Sequence, residues 1–347
     1  MLLDEILQIT EPLKPSDVHI ASDECVAIRI NGEIKLLNEL GIISKENLEA
    51  IAVGLVGAEK LQKIEETKKE FDFPYSHNSN DGKTRYRCNI FYRKGELSIS
   101  LRSITSTRQT LDEIGVPEKA QELLKKKQGL ILVSGPTGSG KSTTMAAMID
   151  WINENRANHI VTIEDPIEHH ITNNKCLVTQ REMHSDTESF ESSLRAALRQ
   201  DPDIVVVGEM RDRETIEAVL KLCSAGHLVI STTHAPSASQ TLYRILGVFP
   251  QEQHSLILAQ LGESLLGILN QRLITTIQND RTAIFEFMNV NRAIKSAIMR
   301  GDIFQLDNSI TTGLSEGMVT FEKYLNRLIF EGKILPEAKQ KFFSTIQ

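Results

Sequence analysis

The chain reads as α/β, a parallel sheet with helices on both faces, preceded by a smaller α+β domain. Three observations carry this reading. From residue 129 onward, short apolar runs alternate with helical stretches, the pattern of parallel strands joined by helices. One apolar run, Leu130-Ile131-Leu132-Val133, leads into Gly135-Pro136-Thr137-Gly138-Ser139-Gly140-Lys141-Ser142, which fits G-x-x-x-x-G-K-[ST] and opens a helix at Thr143. The first hundred residues instead carry hairpin signals around one helical stretch.

Length and composition set the frame. The 347 residues leave room for two domains and a large core. Hydrophobic content of 40% with 24% charged residues is that of a globular protein. The 39 basic and 46 acidic residues give −7, which argues against a general nucleic-acid binder. Cys25, Cys88, Cys176 and Cys223 are far apart in sequence, so no C-x-x-C metal pair exists, and free thiols in a reducing compartment are expected. The N-terminus carries Asp4 and Glu5 where a secretion signal needs basic residues. No run reaches the roughly 18 apolar residues of a membrane span. A cytosolic protein that can dock at a membrane complex is expected.

In chain order, Val26–Ile30 and Glu33–Leu37 flank Asn31-Gly32 and read as a hairpin. Residues 45–65 have helical spacing, with Leu48, Ile51, Leu55, Leu61 and Ile64 on the apolar side. Thr84–Tyr92 and Leu97–Leu101 read as strands turning at Lys94-Gly95, and 78–82 as a polar loop. The first domain thus covers 1–102. Residues 103–116 lack periodicity and read as a linker. The second domain, 117–347, begins with a short helix from Pro117 to Lys127. Strands are expected at 130–134, 159–164, 203–207 and 227–232, with helices near 141–155, 187–200 and 213–225. Beyond about 250 the chain reads as mostly helical, with a short strand at 283–287.

The chemistry gathers around the glycine-rich loop. Gly135, Gly138 and Gly140 let the backbone wrap a phosphate chain, and the helix that follows adds the positive end of its dipole. Pro136, Thr137, Ser139 and Thr143 complete the cradle. Lys141 reaches the β- and γ-phosphates, and Ser142 offers a hydroxyl to Mg²⁺. Asp203–Val207 is an apolar strand followed by Gly208-Glu209, a carboxylate where Mg²⁺ and the attacking water are met. Glu164, Asp165 and Glu168 crowd the end of another strand and could polarise water or hold Mg²⁺ through its shell. His227 and His234 flank a strand and could sense the γ-phosphate.

This set resembles the secretion and type IV pilus ATPase superfamily. The phosphate loop, Ile163–Glu168, Val207–Asp212 and Gly226–His234 match its Walker A, aspartate-box, atypical Walker B and histidine-box motifs in order and spacing. Ser16-Asp17-Val18-His19 resembles its N-terminal element, and Gly317–Ile334 resembles the C-terminal end of its retraction ATPases. The resemblance implies a homohexameric ring in which a PAS-like domain is paired with a RecA-like ATPase domain, with ATP between them. It implies Glu168 as catalytic glutamate and Glu209 as the acid acting on Mg²⁺ and water. It brings arginines of the first domain, Arg87 and Arg102 foremost among Arg85, Arg87, Arg93 and Arg102, to the γ-phosphate. An inner-membrane platform protein is the implied partner, with the ring peripherally docked at that membrane.

Extension ATPases of this superfamily are longer and often carry a four-cysteine zinc module, so the resemblance favours the retraction branch. Two departures temper that: Thr232-Thr233-His234 stands where the family has Thr-Leu-His, and Ala293–Arg300 keeps the apolar spacing of a late element while altering its polar residues. Assembly or secretion through a related machine, and an accessory nucleotide-binding subunit with little hydrolysis, are the alternatives.

Overall fold

The structure is a computed structural model that describes residues 3–30, 32–79, 82–104 and 108–346. It divides into two compact units, Met1–Thr107 and Arg108–Gln347.

The first unit is built on a six-stranded antiparallel sheet. Its strands run Glu33–Leu36, Ala27–Ile30, Asp17–Ala21, Glu96–Ile104, Gly82–Arg93 and Phe71–Ser79 from edge to edge. Alternation gives it one dry face and one wet face. Val18, Ile20, Ile28, Tyr86, Cys88, Ile90, Ile99 and Leu101 point into a core closed by Leu48, Ile51 and Ala52 of the Lys45–Val56 helix. Ser44 caps that helix by accepting from the Asn47 amide, worth about 1 kcal/mol. The expected single helix over 45–65 is two, because Gly57 at φ +81° breaks it before Ala58–Thr67. Ile30 pairs with Glu33, leaving a two-residue turn in which Asn31 lies outside the described residues. The polar stretch 78–82 is a tight hairpin rather than a loop: Asn78 pairs with Lys83 and Ser79 with Gly82, with Asn80 and Asp81 outside the described residues.

Residues 103–116 hold more structure than their composition suggests. The last strand runs to Ile104, and a short helix, Leu111–Ile114, follows residues 105–107, which are outside the described set. Thr110 and Glu113 form a reciprocal capping box on that helix. Leu111, Ile114 and Val116 are buried in the core of the second unit. One helical turn is too short to show a period.

The second unit carries a seven-stranded sheet, ordered Leu177–Glu182, His159–Glu164, Ile204–Val207, Leu228–Thr233, Gly129–Ser134, Leu265–Thr275 and Arg281–Asn289. All neighbours are parallel except the last pair. Both faces are covered, which is why these strands read as unbroken apolar runs. Leu130, Leu132, Val205, Val207 and Val229 point into one core, where the Arg213–Ser224 and His254–Ser264 helices pack; Ile131, Val133, Ile204, Val206 and Ile230 point into the other, with the Lys141–Asn155 helix.

The region past 250 is mostly helical but carries a strand that the sequence pattern does not reveal. Leu265–Thr275 is a long strand beside the phosphate-loop strand, and the strand expected at 283–287 extends over Arg281–Asn289. Buried on both faces, Leu265–Ile274 shows no period-two alternation to separate it from a buried helix. The helices Arg292–Arg300, Leu306–Thr312, Phe321–Phe330 and Pro336–Ile346 follow. Among the described residues no helix is long and apolar enough to cross a membrane.

Candidate functional site

Parallel strands end on one rim, where ligands of open α/β sheets bind. Here that rim gathers Gly135, which follows Ser134, with Asp165–Glu168, Gly208-Glu209 and His234. The phosphate loop is braced from the side by the unforeseen strand. Asn270 lies level with Ser134 and donates to its Oγ at 2.6 Å and to the Ala235 carbonyl at 2.9 Å. Thr144 Oγ1 donates to Gln271 Oε1 at 2.7 Å, buried. Gly135 has φ +147°, and a Cβ there would stand 2.3 Å from the Gln271 carbonyl oxygen. Only glycine fits at that contact. The sequence signal for this brace is Asn270-Gln271-Arg272 set between the apolar stretches of one run.

The cradle suits a phosphate chain. Gly140 caps the Lys141–Asn155 helix without a side-chain bond, and its first turn holds no acidic residue, so its leading amides are left for an anion. The buried Ser139 Oγ has no hydrogen-bond partner. Pro136, Thr137 and Gly138 form the exposed tip, with Ser142 and Thr143 half-buried beneath it. Lys141 Nζ donates to the carbonyls of Gly135 at 2.8 Å and Pro136 at 3.0 Å. Burial lowers its pKa, and the charges of Glu209 and Glu168 oppose that. A cavity of about 470 Å³ opens beside the loop tip, lined by Pro136, Thr137, Arg272, Leu273, Arg281 and Phe342.

Glu209 lies two strands from the loop, and His234 spans the gap. Lys141 Nζ is 3.5 Å from His234 Nδ1, and His234 Nε2 is 3.2 Å from Glu209 Oε1. An ammonium can only donate, so Nδ1 accepts and Nε2–H donates to the carboxylate. Arg211 binds the other Glu209 oxygen at 2.7 Å. Burial works to raise the Glu209 pKa, but Arg211 and His234 together hold it below the usual carboxylate range. Gly208 packs against the Ile163 carbonyl and Glu164 Cα, so the Walker B turn and the acid loop touch.

Glu164 sits under that loop. Thr162 Oγ1 donates to it at 2.7 Å and Gln180 Nε2 at 3.1 Å, while burial pushes its carboxyl up to about 7. Its carboxyl is thus shifted in the opposite direction to that of Glu209. Among the described residues no group of three His, Cys, Asp or Glu could hold a metal. A Mg²⁺ brought in with a phosphate chain would find the half-buried Ser142 hydroxyl at the helix start and the Glu209 carboxylate across the rim, and would neutralise charge on the phosphates.

His227 does not join the rim. It precedes the first residue of its strand, its Nδ1–H donates to the Leu222 carbonyl at 2.9 Å and its own carbonyl accepts from Gly129. That is the start of the phosphate-loop strand, roughly 20 Å from the loop at about 3.3 Å per residue. Parallel pairing fixes this: two histidines seven apart on one strand must lie at opposite ends.

Arg87 and Arg102 belong to the first unit, where they stand directly opposite each other on the wet face. Like charges paired across strands are destabilising. Asp17 answers part of the charge: Arg102 Nε donates to its Oδ1 at 2.8 Å and Ser16 Oγ to its Oδ2 at 2.9 Å. His19 Nδ1 lies 3.2 Å from Ser100 Oγ. The Ser16–His19 element is thus the strand beside Arg102. Arg87 has Asp72 at 3.9 Å.

Comparison with known proteins agrees. A family model described as "Type II/IV secretion system protein" matches residues 2–301. The type IV pilus retraction ATPase PilT of Pseudomonas aeruginosa is 38% identical over 342 residues, 98% of each chain. A twitching motility protein of Neisseria gonorrhoeae is 37% identical over 334 residues, 96% of this chain and 88% of its own. The crystal structure of the pilus retraction motor PilT with bound ADP superimposes with a TM-score of 0.87 at 39% identity, over 97% of this chain and 96% of that one. The Legionella pneumophila ATPase DotB, at 24% identity, shares the fold with a TM-score of 0.80 over 99% and 95%. With the phosphate loop, both acidic turns and the bridging histidine in place, the chain belongs to the type II/IV secretion system protein family, on the side of its pilus retraction ATPases.

Proposed function

We propose that this chain is a hexameric motor that hydrolyses ATP to ADP and phosphate and uses the energy to retract a type IV pilus. The observation that carries this is the Lys141–His234–Glu209 chain beside a braced phosphate loop. It ties the group that meets the γ-phosphate to the acid that faces Mg²⁺ and water, so loss of the phosphate changes both ends at once. Glu168 supplies the base and the phosphate loop, Gly135 to Thr143, holds the triphosphate. Phosphoryl transfer is mostly positioning and charge stabilisation, and arginines that converge on the γ-phosphate suit it. The opposed Arg87 and Arg102 present such charge. The similarity to retraction motors supports the direction of work. A ring docks through a platform protein at the inner membrane.

Purified protein should turn over ATP, and Lys141→Ala should abolish that; wild-type turnover in the variant would remove the phosphate-loop assignment. A deletion strain should be hyperpiliated and fail to retract. Bald cells would point instead to assembly or secretion, a reading favoured by the altered Ala293–Arg300 element, where Lys295 pairs with Glu263 at 2.7 Å.

A further inference from the structure

The Leu177–Glu182 strand, at the edge of the sheet, has no part in the proposed machinery, yet two of its side chains hold the loop that carries Glu168. It pairs in parallel with His159–Glu164 in a register that sets Gln180 opposite Thr162 and Glu182 opposite Glu164. The loop that follows Glu164 has no regular structure over residues 165–171. Its backbone groups are taken up from the side. Glu182 Oε1 accepts from the Ile167 amide at 2.9 Å. Gln180 Nε2 donates to the His169 carbonyl at 2.8 Å, and Gln180 Oε1 accepts from the Ile171 amide at 2.8 Å. The same Gln180 amide nitrogen reaches Glu164 at 3.1 Å.

Ile167 and His169 are the residues on either side of Glu168. Glu182 anchors one and Gln180 the other, so the Cα of Glu168 is bracketed within three residues. Glu182 is buried and is itself tied down, since its amide donates to Asp186 Oδ2 at 2.8 Å. A side-chain amide used as donor and acceptor on one loop mimics a neighbouring strand.

We propose that Gln180 and Glu182 are positioning residues that set the orientation of Glu168 toward the γ-phosphate. The inference rests on the reading of Glu168 as the catalytic base. Displacing a catalytic group by about 1 Å costs on the order of 100-fold in rate, so removing one anchor lowers turnover without loosening the nucleotide, which the phosphate loop holds independently.

The test uses full-length purified protein, steady-state ATP turnover and binding of a fluorescent ATP analogue. Gln180→Ala should lower kcat by about 10- to 100-fold while the analogue's Kd moves by no more than about twofold. Glu182→Ala should act alike, and Glu182→Gln, which keeps the acceptor for the Ile167 amide, should recover most of the loss. In the double variant Gln180→Ala/Glu168→Gln, turnover should fall no lower than in Glu168→Gln alone, because residues acting as a unit do not add. A kcat within about threefold of wild type in both alanine variants, a rise in KM at unchanged kcat, or losses that multiply in the double variant would overturn the proposal. Should Gln180→Ala fail to fold, the Glu182→Ala and Glu182→Gln pair decides the same question. Wild-type turnover in Glu168→Gln alone would instead sink the catalytic reading of that residue, a result separate from any of these.

Discussion

In the first unit, Asp17 and Glu11 lie among partners. Burial works against their charge, but Arg102 and Ser16 on Asp17, and His77, Tyr86 and Thr84 on Glu11, hold both carboxyls below their ordinary range. In the second unit, Glu164 and Glu286 are pushed up to about 7 by burial, and their hydrogen-bond donors, Thr162 and Gln180 for one and the Ala238 amide for the other, are neutral. Asp17 on its strand meets a guanidinium, and Glu11 on the short helix before it meets an imidazole and two hydroxyls, whereas Glu164 and Glu286 are half-buried among neutral donors. The antiparallel sheet has a wet face on which arginines can reach across strands. The parallel sheet is covered twice, so it offers no wet face on which arginines can reach across strands, and ligands of such sheets are met at the rim. Among the described rim acids Glu209 is the exception, with both a guanidinium and an imidazole upon it.

The largest effect should follow from removing that exception's charge. Glu209→Gln keeps the shape, and turnover should drop by about 10²- to 10³-fold, the scale of losing one preorganised electrostatic group, while analogue binding persists. Loss of binding with the rate would make Glu209 chiefly a Mg²⁺-site residue. His234→Ala should cost less, about tenfold in turnover on the scale of a lost orienting contact, since Arg211 still holds Glu209. Its sharper readout is coupling: pilus retraction should fall further than ATP hydrolysis. Equal losses in both would mean that the imidazole only orients Glu209 and passes nothing on.

The contrast between the sheets also explains what could be read from the sequence. The rim was legible because each motif ends an apolar strand, and parallel pairing brings strand ends together whatever their order. The phosphate loop, Glu164, Glu168, Glu209 and His234 met there as their spacing implied. His227 did not, since a strand separates its two ends by its own length. The brace from Asn270 and Gln271 and the anchors Gln180 and Glu182 were not legible. Leu265–Thr275 is buried on both faces and so lacks alternation, and Leu177–Glu182 is an edge strand that turns polar after Val178. The wet face of the first unit was half legible: Arg87 and Arg102 were placed on strands, but that they oppose each other is a matter of register, which pairing alone reveals.

Acidity should move the two sheets in opposite directions. A carboxyl whose folded pKa is raised, as in Glu164 and Glu286, favours the folded state fully below its unfolded value of 4.5 and loses that contribution as pH climbs toward about 7. A shift of this size is worth roughly 3 kcal/mol. Asp17 and Glu11 are depressed, so they stabilise above their unfolded values and lose that as pH falls through their folded ones. Hydrogen exchange on the full chain, corrected for intrinsic rates, should show the parallel sheet better protected at pH 5 than at pH 8, and Glu164→Gln should flatten that difference. If both units gain protection alike on acidification, the buried acids are not its cause.

The smallest change tests the other side of the comparison. Arg102 is largely exposed while Asp17 is 9% exposed, so their ion pair is screened and worth at most about 1 kcal/mol. Asp17→Asn keeps an acceptor for Arg102 and Ser16, and the melting temperature should fall by no more than a few degrees at pH 7. As pH falls through the depressed value of the wild-type carboxyl, that charge is lost and the two proteins should converge. The same exchange of carboxylate for amide would then cost rate on the parallel rim and stability on the antiparallel face. If Asp17→Asn instead lowers turnover as far as Glu209→Gln at an unchanged melting temperature, the Asp17 carboxylate itself, and not only the arginine it pairs with, acts in the chemistry.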